Sequence, residues 1–171
     1  RGLRGQGAVT LAAGALDNAT GRISAGGALT LTAAALDNSG GQTVGSGAGT
    51  VAVTGALDNR GGTLATEGAL AVAAGRLDNG NGGRIVANDA LAVTTTTGLL
   101  ANAGGTLSAE QALTVGAAGA LDNNAGVMVG GTDLTLNAGG ALDNRGGTLA
   151  AVGGRLDVTA AGRIDNTAGR L

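Results

Sequence analysis

The sequence predicts an all-β chain: a right-handed parallel β-helix (solenoid) of about eight coils with a period of about 21 residues, running over 1–171 as one repeat array. Three observations carry this. The tripeptide Leu-Asp-Asn returns at nearly constant spacing from one end to the other. Apolar residues alternate with period two between its copies, which is a strand pattern rather than a helical one. And the building material is small: 171 residues include 36 Gly but no Phe, Tyr or Trp, so any interior must be narrow.

The first element is the Leu-Asp-Asn corner. Its last residue is Asn18, Asn38, Asn59, Asn79, Asn102, Asn123, Asn144 or Asn166. Ala101 replaces the Asp once, and Ile164 replaces the Leu once. Successive Asn lie 20, 21, 20, 23, 21, 21 and 22 residues apart. The second element starts five residues later with one apolar position: Ile23, Leu64, Leu107, Met128, Leu149 and Leu171. Thr43 takes that place once, and Ile85 sits one residue late. A Gly precedes each of these positions closely, and a small residue follows two places on, as at Ala25, Thr66 and Ala109. The third element is a second alternating run, such as Leu29-Thr30-Leu31, Leu91-Ala92-Val93 and Leu134-Thr135-Leu136. Each repeat therefore reads as two or three short strands between Gly-rich corners.

About 21 extended residues close a loop of at most ~70 Å perimeter, and coils stacked ~4.8 Å apart make a rod of roughly 40 Å. Right-handedness is expected because parallel crossovers overwhelmingly have that hand. In such a stack each Asn is expected to face inward at a corner. Its amide then donates to one neighbouring Asn and accepts from the other, forming a ladder along the axis. The same Asn is expected to supply the left-handed backbone that a sharp corner needs. The adjacent Asp should point outward, with mutual repulsion relieved by Arg22, Arg60, Arg76, Arg84, Arg145 and Arg163. Ile23, Leu64, Ile85, Leu107, Met128 and Leu149 form the expected inward apolar stack. The chain starts in the middle of a repeat, so it reads as a piece of a longer filament whose uncapped ends associate.

Composition removes several functions. The ten basic residues are all Arg, are scattered, and face twelve acids, for a net charge of −2, which argues against nucleic acid. There is no Cys or His, and no cofactor or metal site is expected. No apolar run reaches eighteen residues, so no helical membrane span is expected. Asp78-Asn79-Gly80-Asn81-Gly82-Gly83 comes nearest to a calcium loop but lacks spaced carboxylates and reads as a turn with an insertion. Thr30 and Thr32 suggest an ice-binding row, yet the aligned positions hold Ala52, Ala71, Ala92 and Asp157. Thr94-Thr95-Thr96-Thr97, in the longest repeat, reads as a bulged corner. Only Glu67, Asp89, Glu110 and Asp133 depart from the repeating acid pattern. Without His, Cys or Lys they are a thin inventory for catalysis, so no enzyme is expected.

The tiled pattern Leu-Asp-Asn-x-x-Gly-x-(Ile/Leu)-x-Ala resembles the filamentous haemagglutinin repeat, over essentially the whole chain. It looks like the shaft of the large exoproteins of bacterial two-partner secretion, adhesins and contact-dependent growth-inhibition toxins among them. The resemblance implies passage through an outer-membrane two-partner-secretion transporter, folding outside the cell as a right-handed β-helix, and a place at the bacterial surface. The function it implies is a virulence-related structural shaft that presents an adhesive or toxin-delivering tip. The alternatives are a binding module whose exposed ladders touch host glycans or a target-cell receptor, and, last, a β-helix carbohydrate enzyme.

Overall fold

Every repeat supplies one short strand and one long stretch, and each of these lies directly on its equivalent in the next repeat. In a computed structural model describing residues 2–171, the described residues form strands, turns and bends, with no helix. The short strands build a narrow sheet of eight: Gly2–Gly5, Arg22–Ala25, Gln42–Gly45, Thr63–Thr66, Arg84–Ala87, Thr106–Ala109, Val127–Gly130 and Thr148–Ala151. Neighbours in this sheet are always one repeat apart and always parallel. The long stretches build a second, 12-stranded parallel sheet. The chain is thus a parallel β-solenoid of about eight coils.

Register follows the sequence clock. Ile23 pairs with Thr43, Thr43 with Leu64, Leu64 with Ile85, Ile85 with Leu107, Leu107 with Met128 and Met128 with Leu149. All of these are buried. Ile85, a residue late by counting, falls into register because the turn before it, 79–83, is one residue longer than the turn 59–62. The inner wall continues through Leu91, Leu113 and Leu134, then Val93, Val115 and Leu136, and ends each coil on Leu100, Leu121 and Leu142. Small residues such as Ala74, Ala117 and Ala138 close the space between opposite walls. A ring placed among such residues would overpack an interior of close-packed density.

The wide sheet changes character along the chain. In the first four coils its strands run unbroken: Val9–Asp17, Leu29–Asp37, Gly49–Asp58 and Leu70–Asp78. After these, each divides in two: Leu91–Thr95 with Leu100–Ala101, Leu113–Ala117 with Leu121–Asp122, Leu134–Ala138 with Leu142–Asp143, and Leu156–Ala160 with Ile164–Asp165. Strand Leu70–Asp78 pairs with both halves of the first divided strand. The cause is extra length at 96–99. Thr96 N–H donates to the carbonyl of Ala74, while Thr97 and Gly98 both donate to that of Gly75. Thr94 and Thr95 remain in the strand, so the bulged corner covers only the second half of the Thr run. Later coils copy the break: Gly119 N–H donates to Gly98, Gly140 to Gly119 and Gly162 to Gly140. Each later coil carries its own extra residue at this place: three lie between Ala117 and Leu121 and between Ala138 and Leu142, against two between Ala74 and Leu77.

Candidate functional site: the asparagine ladder

The corner turn is built from Asn-x-x-Gly. In the regular copies the Gly N–H donates to the Asn carbonyl three residues back, as from Gly41 to Asn38, Gly62 to Asn59 and Gly126 to Asn123. The chain turns through a residue with positive φ: Thr20, Gly40, Gly61, Gly104, Ala125, Gly146 and Ala168, with Asn81 and Gly82 in the longer turn. The ladder asparagines are not among the positive-φ residues. The expectation that they supply the left-handed backbone is therefore corrected: that task falls two residues later.

The Asn side chains point inward and meet. Asn18 Nδ2 donates to Asn38 Oδ1, Asn38 to Asn59, Asn59 to Asn79, Asn79 to Asn102, Asn102 to Asn123, Asn123 to Asn144 and Asn144 to Asn166, every link at 2.7 Å. The second amide proton goes to backbone. Asn59 Nδ2, for example, lies 3.1 Å from the Arg84 carbonyl and 3.3 Å from that of Gly62. Asn38, Asn59, Asn79, Asn102, Asn123 and Asn144 are completely buried, while Asn166 is half-buried at the chain end. An unpaired amide there would carry a desolvation cost, and among the described residues no buried side-chain N or O lacks a partner. Thr43, the one polar residue in the inward stack, joins the ladder: its Oγ1 donates to Asn38 Oδ1 at 3.0 Å and accepts from Asn18 Nδ2 at 3.2 Å.

The Gly of each turn has a second duty. A Cβ on Gly41, Gly62, Gly105, Gly126 or Gly147 would overlap the backbone carbonyl of the preceding coil's Asn. Close backbone approach, rather than a special φ, requires Gly here.

The Asp column faces outward, and it also holds the turn. Oδ1 of Asp37, Asp58, Asp78, Asp122, Asp143 and Asp165 accepts the backbone N–H two residues on, at 2.9–3.1 Å. Asx-turn chemistry of this kind is legible in Asp followed by a turn, but the sequence reading missed it. Ala101 leaves its turn without that acceptor. The Arg partners are fewer than expected. Arg60 pairs with Asp58 at 2.5 Å and reaches Asp78 at 3.7 Å. Arg145 pairs with Asp143 at 2.5 Å, and Arg163 with Asp165 at 3.0 Å. Arg22, Arg76 and Arg84 join no ion pair among the described residues. The Arg60 guanidinium holds the Asp58 carboxyl below the ordinary carboxylate range, with burial opposing it. Arg145 does the same for Asp143, and the Thr167 hydroxyl and amide for Asp165.

Glu67, Asp89, Glu110 and Asp133 sit exposed at the corners after the narrow-sheet strands. Asp133 accepts the Arg155 N–H at 2.7 Å. No helix among the described residues is long and apolar enough to cross a membrane.

A model of the haemagglutinin repeat matches residues 4–61, 58–104 and 86–168, together nearly the whole chain. The chain belongs to the haemagglutinin repeat family. No curated protein and no solved structure matches it. Haemagglutinin repeats are structural, non-enzymatic units of secreted adhesin-like proteins. In this chain each sequence repeat forms one coil, and its Leu-Asp-Asn is the corner where ladder, carboxylate and turn coincide.

Proposed function

We propose that this chain is a length of shaft, non-catalytic itself, that holds an adhesive or toxin-delivering tip away from a bacterial surface. The observation behind this reading is the unbroken ladder: seven identical links from Asn18 to Asn166 give one continuous interior, with stiffness along the axis as its product. We assign the Asn ladder and the inward stack a structural role, as the elements that fix coil upon coil. Secretion through an outer-membrane two-partner-secretion transporter and display at the cell surface fit a chain without disulfides whose coils can form one after another.

A second reading, a module that touches a glycan or target-cell receptor, has one observation in its favour. An open groove is lined by Asp58, Arg60, Arg76, Asp78 and half-exposed Leu99, beside the position where Ala101 interrupts the Asp column. Glycan-array and cell-binding assays on the 171-residue chain separate the two. The shaft predicts no binding at about 100 µM, a concentration at which even modest affinities register. Saturable binding lost in Arg76→Ala would replace it by the binding module.

A further inference from the structure

We propose that the outer face of the narrow sheet is a lateral docking surface for a second copy of this chain, with the two rods side by side and pointing the same way. This face differs from the rest of the surface. Its outward column runs Arg4, Ser24, Val44, Ala65, Val86, Ser108, Val129 and Ala150, stacked in register, and from Val44 onward it is apolar except for Ser108, each of these residues being half-buried. The neighbouring outward column of the same sheet is mostly polar, with Gln42, Thr63, Arg84, Thr106 and Thr148, and on the wide sheet Thr30, Thr50, Thr114 and Thr135 alternate with Ala71 and Ala92. Five apolar residues stacked in one partly exposed column over six coils mark a candidate interaction surface. A shallow depression lined by Ser24, Val44, Ala65 and Glu67 lies on it.

Charge chooses the partner and its direction. Arg84 opens its strand at one edge of the face. At the other edge Glu67 and Glu110 follow the ends of their strands directly, and Asp89 lies one residue further on, after Asn88. All four are exposed, and none joins an ion pair among the described residues. A two-fold axis along the rod exchanges the two edges but keeps height. Arg84 of one copy then lies at the height of Asn88 and Asp89 of the other, with Glu67 and Glu110 about 4.8 Å above and below Asn88. A two-fold axis along the strands reverses one rod and sets Arg84 against Arg84 and acid against acid, which like-charge repulsion opposes. Arg60 with Asp58 and Arg145 with Asp143, on the Leu-Asp-Asn corner, are by contrast already matched within the molecule.

Eight strands about 4.8 Å apart, each of four residues of about 3.3 Å, give a face of about 500 Å² per copy. The pair would bury about 1,000 Å², the lower edge of specific interfaces, so 171 residues should dimerise weakly and longer arrays more strongly.

The experiment is sedimentation velocity on the whole chain from about 10 µM to 1 mM. Expected is a reversible monomer–dimer equilibrium that Arg84→Glu or Val86→Lys weakens at least tenfold, with circular dichroism unchanged. Arg84→Glu combined with Asp89→Arg should recover part of the loss. A short bismaleimide reports direction, since the chain has no Cys of its own. Val44→Cys alone should cross-link to Val44→Cys, and Val129→Cys to Val129→Cys. Cross-links only in a mixture of the two variants mean opposed rods and overturn the proposal. So does a chain that stays monomeric throughout, or association unchanged in Arg84→Glu and Val86→Lys, which would come from the open coil ends at half-exposed Leu3 and Ile164.

Discussion

Asn123→Ala removes one rung from the middle of the ladder, and its cost follows from the hydrogen bonds that the rung makes. Asn123 Oδ1 accepts from Asn102 at 2.7 Å. Its Nδ2 donates to Asn144 Oδ1 at 2.7 Å, to the Gly126 carbonyl at 3.2 Å and to the Thr148 carbonyl at 3.3 Å. After truncation the Asn102 amide keeps only its longer bonds to the Gly105 and Val127 carbonyls, both at 3.3 Å. The Asn144 oxygen keeps none, and the site is dry. An orphaned buried polar group costs about 1–3 kcal/mol, so one full and one partial orphan plus a small void come to about 2–4 kcal/mol. Asn166→Ala is the control. It accepts the 2.7 Å bond from Asn144, donates one of 3.4 Å to the Gly169 carbonyl and is half-buried, and its loss leaves the Asn144 amide its bonds to the Gly147 and Arg170 carbonyls, so the cost stays under about 1 kcal/mol. Urea unfolding followed by far-UV circular dichroism compares the two. If Asn123→Ala lies within about 0.5 kcal/mol of the parent, or costs no more than Asn166→Ala, the ladder does not hold the coils and the reasoning fails. Asn123→Asp adds a sign test. It keeps the acceptor but sets a buried carboxylate against the Asn144 oxygen, so its pKa should rise and the variant should lose stability as pH climbs above ~4.

Three further outcomes follow from the corner. Ala125 carries φ of +51° where four aligned turns have Gly, so Ala125→Gly should stabilise by about 0.5–1 kcal/mol in the same melt. Gly126→Ala should cost more than about 2 kcal/mol because its Cβ meets the Asn102 carbonyl, while Gly116→Ala, whose nearest neighbour is the Thr94 methyl at 3.5 Å, should be nearly neutral; equal effects would mean the turn is not packed on the coil before it. Asp58, Asp143 and Asp165 are more acidic folded than unfolded, so their stabilisation is complete above the ordinary Asp range near 4 and is lost as pH falls through their folded values. An acid titration of the melting midpoint should therefore decline below pH ~4, less steeply in Asp58→Asn, which keeps an acceptor for the Arg60 N–H at 3.0 Å.

The coil and its inner wall were legible because each depends on a residue with few substitutes. The corner Asn recurs, the Leu two places before it is buried in every interior coil, and the alternation in Leu113–Ala117 leaves one choice of face. The narrow-sheet strands, four residues each, were legible for the same reason. What stayed hidden lies where the local sequence is compatible with more than one backbone. Ala33 to Leu36 and Thr95 to Leu100 are both runs of small or β-tolerant residues; the first stays within a strand and the second breaks it, and only packing on the coil beneath decides which. The Asp was read as an outward charge to be neutralised because its repulsion was considered and its reach to the next amide but one was not. Arg84 was assigned to the Asp column, yet it opens a strand of the narrow sheet and joins no ion pair among the described residues; the periodic placement of a side chain does not fix what it will find there.

The stacking of equivalent residues is tested most directly by proton NMR of the side-chain amides of this 15.9 kDa chain. The structure predicts nuclear Overhauser contacts that walk from Asn18 through Asn38, Asn59, Asn79, Asn102, Asn123 and Asn144 to Asn166, with the interior amides slow to exchange with solvent. Asn59 side-chain protons that show no contact with either Asn38 or Asn79 would contradict it.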